Sequence, residues 1–406
     1  MKLRSAIVMA AVLTLCTCID PYTPNLTGYQ PLLVVDGLLT DANSSYKVRL
    51  SETFQEQNSN PEPVSDATLF ITDDLGSTSY LFQAGNGVYE TDSIMFRGTI
   101  GRTYTLHIQT KDGQIYESEP SLLQSVPEID NVYYEKDQDL INNATATEEG
   151  IRIYIDSRKG DSNQNYRWSF EETWKFKVPT PKRYDYINDS TINLVTDVKD
   201  FCYKSSSSDG IIINSSNAQG PQVIKKQPIC FIASDQSDRL LIQYSILVKQ
   251  YSISDNEYAY WNNLKQISES GGDIFSKQPF TIISNIKNIN NSAERVLGYF
   301  GVSSVSQKRL YITFSELDGL KLPLYHYLCV RFSKDPKDYP NSFMAPPTTW
   351  DDLYSLFCLT SDYYFVEPLY IPGTNKLQKL IFARPECANC ELTGTRKKPD
   401  FWVDLN

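Results

Sequence analysis

Histidine is nearly absent from this chain of 406 residues, which holds only His107 and His326. Histidine supplies many zinc ligands and general bases, so two-histidine zinc hydrolases and histidine-based triads lack their parts. No Gly-x-Ser-x-Gly elbow, P-loop or dinucleotide fingerprint takes their place. Both histidines sit in runs that predict structural strand positions, Tyr104-Thr105-Leu106-His107-Ile108 and Tyr325-His326-Tyr327. Lys and Arg are also scarce, 38 against 49 Asp and Glu. That imbalance argues against a nucleic-acid partner, which needs basic patches. No cofactor is expected, and no segment reaches the roughly 20 apolar residues of a membrane span.

What the sequence does carry begins at its start. Lys2 and Arg4 precede the apolar run Ala6-Ile7-Val8-Met9-Ala10-Ala11-Val12-Leu13, and polar residues follow from Asp20, the order of a secretory signal. Leu15-Cys16-Thr17-Cys18 fits a bacterial lipobox for Cys18, with Leu three positions before it and a small residue just before it. Cys16 would put bulky Leu15 in the small-residue place. The expectation is a signal peptide over 1–17, a lipid on Cys18, and an anchored linker over 18–30. Several acyl chains on one cysteine suffice for stable membrane attachment; an ordinary signal peptide cut nearby without a lipid is the alternative. The 38 basic residues less Lys2 and Arg4 leave 36 against 49 acidic, net −13.

After that processing six cysteines remain, an even number in an exported chain, which makes disulfides the default reading. Proximity suggests Cys202 with Cys230, Cys329 with Cys358, and Cys387 with Cys390. Cys387-Ala388-Asn389-Cys390 has the spacing of a redox dithiol or half a zinc site. It follows Arg384-Pro385-Glu386 near the chain end rather than opening a helix after a strand, and no further ligands follow it. A structural disulfide is expected there.

Acidic pairs are the remaining catalytic candidates: Asp73-Asp74, Glu171-Glu172 and Asp351-Asp352. Glycoside hydrolysis needs two carboxylates across a cleft, yet neighbours on a strand point to opposite faces. Asp73-Asp74 precedes Leu75-Gly76 and reads as a turn; Asp351-Asp352 reads as the start of a short helix. Structural roles are expected for all three.

The fold class read from the pattern is mainly β. From Pro31 to Leu123, short strands alternate with turns: Tyr46, Val48 and Leu50; Ala67, Leu69 and Ile71; Tyr104, Leu106 and Ile108, with Asn86-Gly87 and Asp112-Gly113 as hairpin signals. This predicts an immunoglobulin-like or transthyretin-like β-sandwich over 31–123. Prolines 120 and 127 mark a boundary. A larger β-rich domain with one or a few short helices follows over 128–406. Within it, Ser205 to Gly220 reads as a mobile loop. Ser254-Asp255-Asn256-Glu257 reads as a capping box, opening a helix that packs Tyr258, Trp261 and Leu264 on a sheet and ends at Gly271-Gly272. The 27 tyrosines suit both strands and ligand platforms.

Several segments together resemble a known family. They are Cys18-Ile19-Asp20-Pro21-Tyr22, Leu33 to Asp41, Tyr166-Arg167-Trp168, Gly271-Gly272-Asp273-Ile274-Phe275, Val296 to Gly301 with Lys308-Arg309, and Cys387 to Trp402. In that order they resemble the Bacteroidota lipoproteins grouped as domain of unknown function 4249. The resemblance implies an outer-membrane lipoprotein encoded beside a TonB-dependent receptor, displayed at the cell surface in preference to the periplasmic face. Only Asp20 supplies the acid that surface-export signals of this phylum place after the lipidated cysteine. Asp92-Ser93-Ile94 and Asp189-Ser190-Thr191 also look like the phylum's O-glycosylation motif. The implied role is a non-enzymatic binding or accessory subunit of an uptake complex, with the receptor, a nutrient ligand and the membrane as partners. The alternatives are an assembly factor of the outer envelope and, behind it, an exported glycan hydrolase.

Overall fold

The structure is a computed structural model and describes residues 30–54, 61–92, 96–140, 147–158, 165–215, 223–269, 282–322, 329–339, 346–359 and 362–405. Cys18, the signal segment, the glycines expected to stop the helix and His326 lie outside the described residues.

The chain is mainly β, as its patterning predicts. Leu33–Leu39, Lys47–Glu52, Thr68–Asp73, Thr78–Gly85, Val88–Thr91, Thr103–Gln109 and Ile115–Ser118 form one continuous sheet. Alternation sets its buried face: Tyr104, Leu106 and Ile108 are buried, and His107 points the other way. There His107 stacks on Phe70 and bonds Thr72 and Glu117, a structural role as expected. The sheet is not flat: it curls, nearly closed and barrel-like, around Val35, Leu50, Leu69 and Tyr89.

Nor is this sheet complete within 31–123. Ile286–Asn288 pairs with Ile115–Ser118, and Leu297–Val302 pairs in parallel with Leu33–Leu39. A parallel pair cannot be joined by a tight turn; here the connection runs through most of the second unit. Gly298, opposite Val35, has φ +87°, and a Cβ on it would sit 1.9 Å from the Val35 carbonyl oxygen. Only glycine closes the sheet at that point.

The second unit packs two sheets face to face. One holds Ile129–Leu140, Thr147–Arg158 and Val223–Ala233; the other holds Phe201–Ser207, Asn165–Lys177, Gln243–Ser252 and Val305–Thr313, with Ile212–Ser215 also paired to Asn165–Lys177. Ile151, Ile153, Ile155, Trp168, Tyr244 and Val248 fill the space between. Each such aliphatic side chain contributes about 1.5–3 kcal/mol by leaving water. Trp168→Ala would cost about 3–5 kcal/mol and also strand Gln250, which accepts the indole N–H at 2.9 Å. The segment from Ser205, expected as a loop, holds the end of one strand and all of Ile212–Ser215, because its serines pair across to Glu171, Glu172 and Thr173.

The helix Asp255–Glu269 bridges the two units. Ser254 Oγ accepts the Glu257 amide at 3.1 Å, as the cap predicts. Its buried residues are Glu257 and Tyr260, however, and Tyr258, Trp261 and Leu264 are only half-buried. The face is turned because Glu257 is drawn inward by the Trp261 indole and by Arg167.

A third, smaller unit joins the hairpin Tyr184–Asn188 and Thr191–Leu194 to the sheet Phe332–Lys334, Leu377–Ala383 and Tyr364–Tyr370, with the helix Trp350–Tyr354. Thr349 caps that helix with Asp352, as the acidic pair suggests, and Asp351 accepts the Tyr186 hydroxyl at 2.6 Å.

The cysteine pairing differs from the proximity expectation. Cys202 bonds Cys390, and Cys329 bonds Cys387, leaving Cys230 and Cys358 as thiols. Cys230 lies on Val223–Ala233, in the sheet opposite the one holding Cys202. Pro385–Ala388 forms a helical turn, and the two cysteines of the Cys-x-x-Cys run each reach a different strand or loop instead of each other. The run is structural, but it is a double staple fastening the C-terminus, not a local loop.

Candidate functional site

A cleft of about 1230 Å³ opens at one end of the barrel-like sheet. Its wall comes from the turn after Thr103–Gln109, from Glu52, and from the segment just after Ile286–Asn288. Gln30 and Pro31, where the described chain begins, stand on its rim.

Glu294 anchors the polar lining. Its Oε1 accepts the Tyr116 hydroxyl at 2.8 Å, and its Oε2 accepts Asn288 Nδ2 at 2.7 Å. Asn288 Oδ1 accepts the amides of Asn290 and Asn291, and Asn290 Oδ1 accepts the Ile115 amide at 2.7 Å. These bonds weld the 288–294 turn to the sheet edge, so the lining is preorganised. Burial, and then the Glu294 carboxylate, push the Tyr116 phenol well above its ordinary pKa, which keeps it a proton donor. At the rim, Lys111 pairs with Asp66 at 2.9 Å, and Arg295 is exposed. The lining mixes acids, cations and amides and includes no histidine or cysteine. Such a surface orients a polar ligand by hydrogen bonds.

The sequence-level acidic pairs do not converge on this cleft. Asp73 and Asp74 are both held by Arg102 at a turn. On Asn165–Lys177, Glu171 faces solvent with Lys249, and Glu172 faces inward. There Glu172 accepts Tyr244 Oη at 2.8 Å and Arg239 Nη2 at 2.9 Å. Asp238, buried close by in sequence to Arg239, accepts Trp174 Nε1 at 2.8 Å and Lys204 Nζ at 2.7 Å. Every oxygen of these two buried carboxylates thus holds a donor. Burial pushes the neighbouring Cys230 thiol up to about 12, and Glu172 adds to it. Among the described residues, no group of three or more His, Cys, Asp or Glu could hold a metal, and no helix is long and apolar enough to cross a membrane.

Sequence reasoning missed Tyr116, Asn288 and Glu294. The Asn288-Ile289-Asn290-Asn291 run was the available signal, since asparagines that bond their own backbone mark a built turn. Three residues of the resemblance segments, Arg167, Gly298 and Arg309, turn out to sit at joints. Arg167 lies between the Tyr251 and Trp261 rings, Gly298 closes the barrel, and Arg309 covers the Phe401 ring at 3.6 Å. Comparison with known proteins gives a match of residues 19–309 to a family described as "Domain of unknown function (DUF4249)". No curated protein matches the chain.

Proposed function

Since the chain belongs to the DUF4249 family, and its barrel cleft is built wholly within the matched residues, we propose that it is a lipid-anchored envelope protein acting as a non-enzymatic binding or accessory subunit of a TonB-dependent outer-membrane uptake complex. The observation that carries this reading is the preorganised polar cleft, whose lining includes Gln30 and Pro31. A lipid on Cys18 would leave 12 residues to Gln30, a reach of at most about 40 Å at full extension. The cleft would then work close to the membrane surface, where a receptor in the same bilayer takes up its ligand. The net charge of −13 after processing would keep the body off anionic surfaces.

Growth of a deletion strain on single nutrients tests the role. The accessory reading expects a defect confined to one nutrient class, restored by the wild-type gene and not by Glu294→Ala. A morphology or secretion defect regardless of nutrient would favour an assembly factor instead. The anchor is tested separately: labelled palmitate should enter the wild type and not Cys18→Ser.

A further inference from the structure

The third unit holds a second groove, of about 750 Å³, remote from the barrel cleft in its residues and in its chemistry. Aromatic Trp350 and Tyr370 line it together with apolar Ile192 and Leu377. Around them stand the Asp189 carboxylate, which accepts the Ser190 hydroxyl at 3.1 Å, the Asn375 amide and the Lys376 ammonium. We propose that this groove binds a neutral saccharide unit. A pyranose has an apolar C–H face that covers an aromatic ring, and an equator of hydroxyls that each donate and accept. The groove offers both surfaces together, and its lining charges cancel, which disfavours a strongly anionic or cationic ligand.

The walls are held in place without a ligand. Tyr186 stacks on Tyr354 with centroids 4.8 Å apart and bonds Asp351, fastening the hairpin to the helix that carries Trp350. Ile192 is the strand partner of Tyr186, and Leu377 that of Tyr370. The turn bearing Asp189 is closed by the Ser190 amide on Asn188 Oδ1 at 3.0 Å, and the one bearing Asn375 by the Ile371 amide on the Lys376 carbonyl at 2.9 Å. The volume lies within the roughly 300–1,000 Å³ usual for small-molecule clefts.

The test is an array of neutral α- and β-linked gluco-, manno-, galacto- and xylo-oligosaccharides probed with the full chain, followed by calorimetric titration of the best binder. Tyr370 and Asn375 are exposed, so Tyr370→Ala and Asn375→Ala should fold normally. Each is expected to weaken binding by about tenfold or more, with circular dichroism unchanged, whereas Glu294→Ala in the other cleft leaves it intact. Absence of binding up to millimolar sugar, or binding lost in Glu294→Ala and kept in Tyr370→Ala, would overturn the proposal. So would an intact mass showing a glycan on Ser190, since the groove would then be filled by the chain's own modification.

Discussion

The guanidinium of Arg167 faces the buried carboxylate of Glu257 across the joint between the two larger units, with Nε 4.0 Å from Oε1. Nε itself has no hydrogen-bond partner, and the group is held by the Tyr251 and Trp261 rings. Burial raises the Glu257 pKa above 4.5, against the opposing pull of Arg167 and Trp261. The folded state therefore binds this proton more tightly than the unfolded chain, and Glu257's share of stability falls as pH rises from 4.5 through the raised value. Arg167→Met leaves the carboxylate without its cation and should cost about 3 kcal/mol at neutral pH. Adding Glu257→Gln should recover more than half of that loss in urea denaturation, because the neutral amide still accepts the Trp261 bond.

The barrel closes on Gly298. Gly298→Ala forces a side chain into a positive-φ position and onto the Val35 carbonyl, and is expected to cost about 3 kcal/mol or more. A stability within experimental error of wild type would mean that Leu297–Val302 does not pair as described.

Tryptic digestion of unreduced protein should show the single peptide that carries Cys387 and Cys390 joined to both the Cys202 and the Cys329 peptides, and only Cys230 and Cys358 should be alkylated after unfolding. In the folded protein both thiols should react slowly, since burial pushes Cys230 up to about 12 and Cys358 up to about 11. The Cys202–Cys390 bridge spans 188 residues, so Cys202→Ser with Cys390→Ser should cost about 2–5 kcal/mol.

Strand positions were legible because their cause is local. Tyr104, Leu106 and Ile108 alternate, Asp112-Gly113 turns, and Thr349 with Asp352 caps a helix, all within a few residues. The barrel's last strand was not legible: Val35 and Gly298 pair although most of the second unit's strands lie between them in the chain. Cysteine proximity misled for the same reason, since strand order, not spacing, sets which thiols meet. At the cleft, Tyr116 and Glu294 are 178 residues apart, and the periodicity around Tyr116 reads as ordinary core.

Asp404 fastens the chain end. Its bonds to Lys398 and then Lys175 hold its carboxyl at about 2, below the ordinary 3.8. The contribution is whole above 3.8 and is lost as pH falls through about 2. The side-chain carboxyl resonance should titrate near that value in the wild type and move toward 3.8 in Lys398→Met.

The most direct test of the proposed role is affinity purification of the tagged, full-length protein from gently solubilised outer membranes, with mass spectrometry of partners and bound small molecules. The account predicts a TonB-dependent receptor in stoichiometric amount, retained by the wild type. Recovery of the protein alone, from membranes in which intact receptor is present, would contradict it.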